Sequence, residues 1–228
     1  MTYSLCARCP RTGEMGVAVM THMLGAGKLV SHATAHVGAA ASQAFMNPYL
    51  AVDGLDALAE GASAQAALDR LVSKDPGRDG RQFGLVDGSG GSAAWTGTAP
   101  EDWKGHRTGD GYAAQGNRLA GPEVLDAAVE AFHRRPDAAL VDRLVAALDA
   151  GERAGGDWKG HRSATVLVVQ DEAYPLWDLR VDHAEDPLAD LHALYQAVTE
   201  HLLEEVQRLP TRENPMGAFD FERSEESV

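Results

Sequence analysis

The chain opens Met1-Thr2, which places a threonine where a self-activated nucleophile has to stand. An initiator methionine is generally removed when the next residue is small, and that would leave a hydroxyl and a free α-amine on one residue. An α-amine with an ordinary pKa of about 7.7–8.0 is partly neutral at pH 7 and can serve as a base. The hydroxyl is a poor nucleophile alone and is activated by such an adjacent amine. Many chains begin Met-Thr with no chemistry attached, so these two residues supply a candidate only.

Other familiar patterns fail on spacing. Cys6-Ala-Arg-Cys9 has redox spacing, yet it falls on an alternating stretch, where positions i and i+3 point to opposite faces of a strand. His32 and His36 have the spacing of a helical zinc pair, but Ala33 stands where such a motif needs Glu. In an extended segment those rings would stand roughly 13 Å apart. Gly25-Ala-Gly27-Lys28 resembles part of a phosphate loop, with His22 where the first glycine belongs. No Gly-x-Ser-x-Gly elbow occurs. A metal-dependent hydrolase using His22, His32 and His36 ranks well below the threonine reading, and the residues call for no cofactor and no metal. Asp-Trp-Lys-Gly-His-Arg occurs exactly twice, at 102–107 and 157–162. Each copy precedes an expected strand, so both are expected on loops at sheet ends, where binding residues tend to lie. An equally good account is a pair of turns with packed tryptophans and solvated charges.

The elements that must position these residues can be read from periodicity. Residues 2–9 alternate, with Tyr3, Leu5 and Ala7 on one face and Thr2, Ser4 and Cys6 on the other. Pro10–Gly13 turns the chain into a second apolar run, Gly16–Met20, so the chain opens as a hairpin. A further strand pair ends in Val37–Phe45. Two short helices follow, the second capped by Ser63. Strands are expected near Gln82–Asp87 and Ser92–Thr96. Pro122 fits the first position of a helix, and Asp137 is a candidate cap for the next. Strands return at Ala164–Val169 and Leu176–Val181. One long amphipathic helix is expected after Asp186-Pro187, through Leu191, Leu194, Val198, Leu202 and Val206; its apolar stripe suits either the core or a homodimer interface. Strict βαβ alternation is missing, which disfavours a Rossmann-type sheet.

The 228 residues are 44% hydrophobic with formal net charge −14, and a chain of this size can bury roughly 70% of its unfolded surface. The acidic balance disfavours nucleic acid and anionic membrane surfaces as partners. No run approaches the ~18 apolar residues of a membrane span. No secretory apolar segment occurs near the start, and two cysteines make no disulfide framework. A cytoplasmic protein is expected, with one domain at 1–209 and a polar, acidic, loose tail at 210–228.

Several runs match one family together: Thr2-Tyr-Ser-Leu5, Thr12-Gly-Glu-Met-Gly-Val-Ala-Val19, Val37-Gly-Ala-Ala-Ala-Ser-Gln43, Gly105-His-Arg-Thr-Gly-Asp-Gly-Tyr-Ala-Ala-Gln-Gly-Asn117, Gly121-Pro-Glu-Val124, and Gly155-Gly-Asp157 with Ser163-Ala164 beyond. In order and spacing the chain resembles the domain of unknown function 1028 family over roughly residues 2–200. The resemblance implies an α+β fold similar to the N-terminal nucleophile hydrolases, a four-layer αββα sandwich of two antiparallel sheets between helix layers. It implies Thr2 as the nucleophile acting on a small amide or peptide-like substrate, although the family has no agreed reaction. Backbone N–H groups near Gly38 and Ala39, or the Gln43 and Asn47 side chains, would face the oxyanion. His106, Gln115, Asn117, Asp157 and Ser163 would orient the substrate or the threonine. Lys28, by topological analogy, would depress the amine pKa. Asn and Gln in glycine-rich loops usually bond nearby main chain, which is the competing account of these side chains. Cys6, Cys9, Lys28 and His36 depart from the family's usual residues. The alternative function is a non-catalytic protein binding a small ligand or a cell-wall fragment on a hydrolase-like fold.

Overall fold

In the computed structural model, residues 2–100, 102–156 and 159–218 are described. The opening hairpin is present: β1 (Thr2–Arg8) and β2 (Met15–Thr21) pair antiparallel from Thr2↔Thr21 to Arg8↔Met15. Gly13, at φ 78°, turns the chain between them, and Cys9 N–H closes the turn on Glu14 O at 2.9 Å. The strands that follow are β3 (Ser31–Thr34), β4 (Gly38–Ala44), β5 (Arg81–Asp87), β6 (Ser92–Thr96), β7 (Trp103–Gly109), β8 (Tyr112–Leu119), β9 (Ser163–Val169) and β10 (Trp177–Val181). They form two antiparallel sheets. One has six strands in the order β10-β9-β2-β1-β8-β7, the other four in the order β3-β4-β5-β6.

The helices are α1 (Pro48–Ala59), α2 (Ala64–Lys74), α3 (Glu123–Arg134), α4 (Leu140–Arg153), α5 (Pro187–His201) and α6 (Leu203–Arg208). α1 and α2 pack on Phe83 and Leu85 of the smaller sheet. α3, α4 and α5 pack on Tyr3, Leu5, Ala18, Met20 and Val166 of the larger. α4 lies so close to β2 that a Cβ at Gly16 would stand 2.7 Å from Leu144 Cδ1. Leu140, Leu144 and Leu148 form one stripe along α4 and are fully buried, so Leu144→Ala would cost about 2–5 kcal/mol.

The opposite faces of the two sheets meet. Cys6, Val17, Val19, Ala39, Ala41, Val86 and Ala113 form an apolar cluster between them. β1 is therefore buried on both faces, and its polar side looks at the other sheet rather than at water. Cys6 and Cys9 are free thiols in different clusters on either side of the sheet, as the strand reading requires.

Several local expectations change. Ser63 does cap α2, its hydroxyl accepting from Ala66 N–H at 3.3 Å. Asp137 caps nothing: α4 begins after Ala139, and Asp137 lies in the preceding turn. The first Asp-Trp-Lys-Gly-His-Arg copy is not a loop, because Trp103–Arg107 is edge-strand backbone paired with β8. Of the second copy, Asp157 and Trp158 lie outside the described residues, and 159–162 precede β9. The single last helix is two, broken at Leu202 with φ −127°. The break brings Leu203 rather than the exposed Leu202 against the core. Residues 211–218 are turns, with Ala218 N–H bonded to Arg208 O at 2.9 Å, so this part of the tail folds back. No helix among the described residues is long and apolar enough to cross a membrane.

Candidate active site

Thr2 heads β1, the strand flanked by β2 and β8. Its two cross-strand neighbours are Thr21 on β2 and Asn117 on β8. Directly opposed residues share a face of the sheet, so one polar row crosses five strands: Lys104, Asn117, Thr2, Thr21 and Ser163. Thr2 Oγ1 lies 2.9 Å from Thr21 Oγ1. Thr21 Oγ1 also accepts Met23 N–H at 3.1 Å. Ser163 Oγ donates to Met23 O at 2.6 Å and accepts from Ala26 N–H at 3.5 Å. Thr21 and Ser163 thus fix the loop after β2 beside the Thr2 hydroxyl.

Two residues further along the strands runs a second row, His106, Gln115 and Ser4. From the smaller sheet, Gln43, Gln82 and Thr96 face it, themselves cross-strand partners. Ser4 Oγ donates to Gln43 Oε1 at 2.7 Å and accepts from Gln115 Nε2 at 2.6 Å. Gln43 Nε2 donates to Gln82 Oε1 at 2.7 Å and, more weakly, to Thr2 O at 3.4 Å. Asn117 Nδ2 donates to the same Gln82 Oε1 at 2.9 Å. Gln82 Nε2 reaches Gly116 O at 2.8 Å and Thr96 Oγ1 at 3.0 Å. His106 Nδ1 lies 2.9 Å from that same Thr96 Oγ1. Burial, with the Arg107 charge adding to it, holds the His106 imidazole below its ordinary pKa. The cluster is a carboxamide and hydroxyl network sealed between two sheets. Leaving one of its groups unpaired would cost about 1–3 kcal/mol. Gln115 Oε1 is its orphan, buried without a partner.

Of the residues singled out from sequence, this end of the sheets gathers Thr2, Gln43, His106, Gln115, Asn117 and Ser163. It does not gather Gly38 and Ala39. They pair with Asp87 and Val86, five and four residues from Gln43 along β4 and roughly 16 and 13 Å away. β4 is paired on both edges, so their amides belong to the ladder. Asn47 caps α1, accepting from Tyr49 N–H at 3.2 Å. Lys28 is exposed in a 3-10 turn, Ala26–Lys28, and not on a strand. Asp157 lies outside the described residues. Reading the residues alone missed Thr21, Ser4, Gln82 and Thr96. The hairpin register could have given Thr21, since a turn at 9–14 sets 2 opposite 21. Gln82 was signalled by its inward position in an otherwise small or apolar strand face.

A larger cavity, about 580 Å³, opens on the helix side of the six-stranded sheet near Met20, His161 and Leu188, where His161 Nδ1 lies 2.7 Å from Glu152 Oε2. It is on the wrong face of β1 for the Thr2 hydroxyl, whereas a cavity of about 70 Å³ is lined by Asn117, the cross-strand partner of Thr2. No group of three or more His, Cys, Asp or Glu suited to a metal occurs among the described residues.

No match to a curated protein is found. Among solved structures, Anbu (ancestral beta-subunit) from Yersinia bercovieri overlaps at 12% identity and TM-score 0.42, covering 92% of this chain and 98% of that one. The crystal structure of a Silicibacter pomeroyi protein of the DUF1028 family superposes with TM-score 0.88 at 33% identity, covering 96% of each chain. The model of DUF1028, a family of unknown function, matches residues 2–191, and the chain belongs to that family.

Proposed function

We propose that the protein is an amidohydrolase with Thr2 as nucleophile, acting on a small amide or peptide-like substrate. The observation that carries this is the place of Thr2: it heads a strand inside the larger sheet, with its hydroxyl 2.9 Å from Thr21 and its carbonyl touched by the buried Gln43 amide. No imidazole or carboxylate is bonded to Thr2 Oγ1 among the described residues, which leaves the residue's own amine as the natural base. We read the stacking of helices, sheet, sheet and helices as the four-layer αββα sandwich of N-terminal nucleophile hydrolases.

The chemistry requires Thr2 to be the mature N-terminus. The neutral amine takes the Oγ1 proton as Oγ1 bonds to the substrate carbonyl carbon. The amine then gives that proton to the leaving nitrogen as the C–N bond breaks, leaving an ester on Thr2. Water, deprotonated by the same amine, adds to the ester and restores the hydroxyl. Asn117 Nδ2 has one acceptor, Gln82 Oε1, and so keeps a second hydrogen for the developing oxyanion. Such a donor contributes about 3–4 kcal/mol in comparable enzymes.

The test is the intact mass of untagged protein expressed from its own start codon, followed by an amide panel on wild type and Thr2→Ala. A mass lacking Met1 and turnover abolished in Thr2→Ala are expected. Retained Met1, or full turnover by Thr2→Ala, would overturn the mechanism. Retained Met1 with binding of a small ligand and no conversion would favour the binding-protein alternative.

A further inference from the structure

We infer that the cavity of about 70 Å³ walled by Ala44, Phe45, Pro100, Arg118 and Asn117, the cross-strand partner of Thr2, receives the acyl side chain of the substrate and restricts it to a small branched aliphatic group. This rests on Thr2 as the nucleophile and adds which amides it would accept.

Position is the first argument. Asn117 is the cross-strand partner of Thr2, and Ala44 follows Gln43, whose amide reaches Thr2 O. One of the five walls is thus the cross-strand partner of Thr2, and another follows the residue whose amide reaches the Thr2 carbonyl. Size and chemistry come second. An apolar cavity of about 150 Å³ is enough for benzene, so half that volume suits three or four carbons. The Ala44 methyl, the Phe45 ring and the Pro100 ring are apolar, and an aliphatic group gains by leaving water for such walls.

Backbone strain is the third argument. Non-glycine residues rarely adopt positive φ, and Ala44 (φ 67°) and Arg118 (φ 57°) do so on this one wall. Each directly follows a network member, Gln43 or Asn117, whose buried hydrogen bonds hold the backbone in place. Such outliers are strained and persist where the surroundings over-determine them. At Ala44 the consequence is visible: β4 ends, and the Phe45 ring stands 59% exposed. That ring is nevertheless held. Phe45 N–H bonds Gly80 O at 3.0 Å, the Arg81 guanidinium binds Phe45 O, and a Cβ at Gly80 would sit 3.0 Å from Phe45 Cδ2. An exposed but fixed aromatic beside a nucleophile is suited to meeting a ligand.

Two measurements on the full chain with a free Thr2 amine separate this inference from the reading beneath it. In the first, ¹⁵N-labelled protein is titrated with isobutyramide, phenylacetamide and succinamate at millimolar concentrations. Isobutyramide is expected to move the Ala44 backbone and Asn117 side-chain amides saturably, and phenylacetamide to move them only in Phe45→Ala. In the second, α-isopropyl and α-benzyl β-lactones are compared as acylating agents. Thr2 Oγ attacks the lactone carbonyl, the ring acyl C–O bond breaks, and the Oγ proton passes through the amine to the released alkoxide, so the mass rises by the whole lactone. The isopropyl lactone is expected to react on the order of ten-fold faster than the benzyl one, a ratio that Phe45→Ala abolishes. Isobutyramide shifts with no lactone adduct would keep the pocket and remove the nucleophile. Adducts formed without side-chain preference, preference unchanged in Phe45→Ala, amides unmoved by isobutyramide, or tighter binding of phenylacetamide or succinamate would each overturn the pocket.

Discussion

The two ends of the layer between the sheets are built from the same strands at the same spacing, yet they are filled in opposite ways. At one end Cys6, Val17, Ala39, Val86 and Ala113 make an apolar contact, stabilised by area removed from water. At the other, two residues along β1, Ser4 joins a network with Gln43, Gln115, Gln82 and Asn117, none more than 2% exposed. An apolar filling would serve stability at both ends, because buried amides gain little net over their bonds to water. Carboxamides at the Thr2 end therefore indicate a demand other than stability, and rigid, uncharged donors beside the proposed nucleophile would meet it.

The comparison can be broken most severely at Gln82, whose single carboxamide accepts from Gln43 and Asn117 and donates to Thr96 and Gly116. Gln82→Leu takes the acceptor from Asn117 Nδ2, leaves Gln43 Nε2 only its longer bonds to Thr2 O and Gln115 O, and is expected to lower unfolding stability by about 3–5 kcal/mol in urea denaturation. Val86→Ala, four residues along the same face of β5, removes only packing and should cost about 2 kcal/mol. The reverse order would mean that the polar end is loosely formed.

Gly84 tests the seam between the ends. A Cβ there would lie 1.9 Å from Gln115 Oε1, so Gly84→Ala is expected to cost about 1–3 kcal/mol by overpacking. Ser4→Ala releases the Gln115 amide and lets it move away. A double-mutant cycle should then show the pair costing less than the sum, whereas strict additivity would place the clash elsewhere.

Much of this contrast was legible in the sequence, and the missing part has a physical cause. Alternation along residues 2–8 gave the strand and put Thr2, Ser4 and Cys6 on one face. It could not say that this face is buried, because a polar face usually means solvent, and only the second sheet makes it interior. β7 and β8 were hidden by glycines at 105, 109, 111 and 116, which read as loop although antiparallel pairing accommodates them. The Gly-Tyr-Ala-Ala-Gln-Gly-Asn run stood out by resemblance, and its role needed register: Gln115 and Asn117 matter because they fall opposite Ser4 and Thr2. Gly38 and Ala39 share β4 with Gln43 yet sit at its far end, a distance that sequence proximity conceals.

A smaller effect sharpens the apolar end. Burial pushes the Cys6 thiol up to about 12, although the Gln115 amide pulls the other way. At pH 8 only about one molecule in ten thousand would carry the thiolate. Iodoacetamide should therefore leave Cys6 unmodified in folded protein and alkylate it in urea, as peptide mass mapping would show. Rapid labelling of folded protein would mean that this end opens.

The smallest expected effect is at the solvent edge of the polar end, where His106 meets Thr96. Burial, then the Arg107 charge, lower the His106 pKa, so its NMR titration midpoint should fall below the ordinary 6.5. The sign follows from which form is disfavoured: both causes penalise the imidazolium, so the ring stays neutral to lower pH than a free histidine. Arg107→Gln removes one positive neighbour and should move the midpoint up, leaving the burial contribution in place. Arg107 also pairs with Asp126 at 2.8 Å, which already offsets part of its charge and keeps the change small. A midpoint at or above 6.5 in wild type would mean that His106 is solvated and that the polar network ends at Thr96. A depressed midpoint would extend the neutral, desolvated environment from Thr2 across to the edge strand.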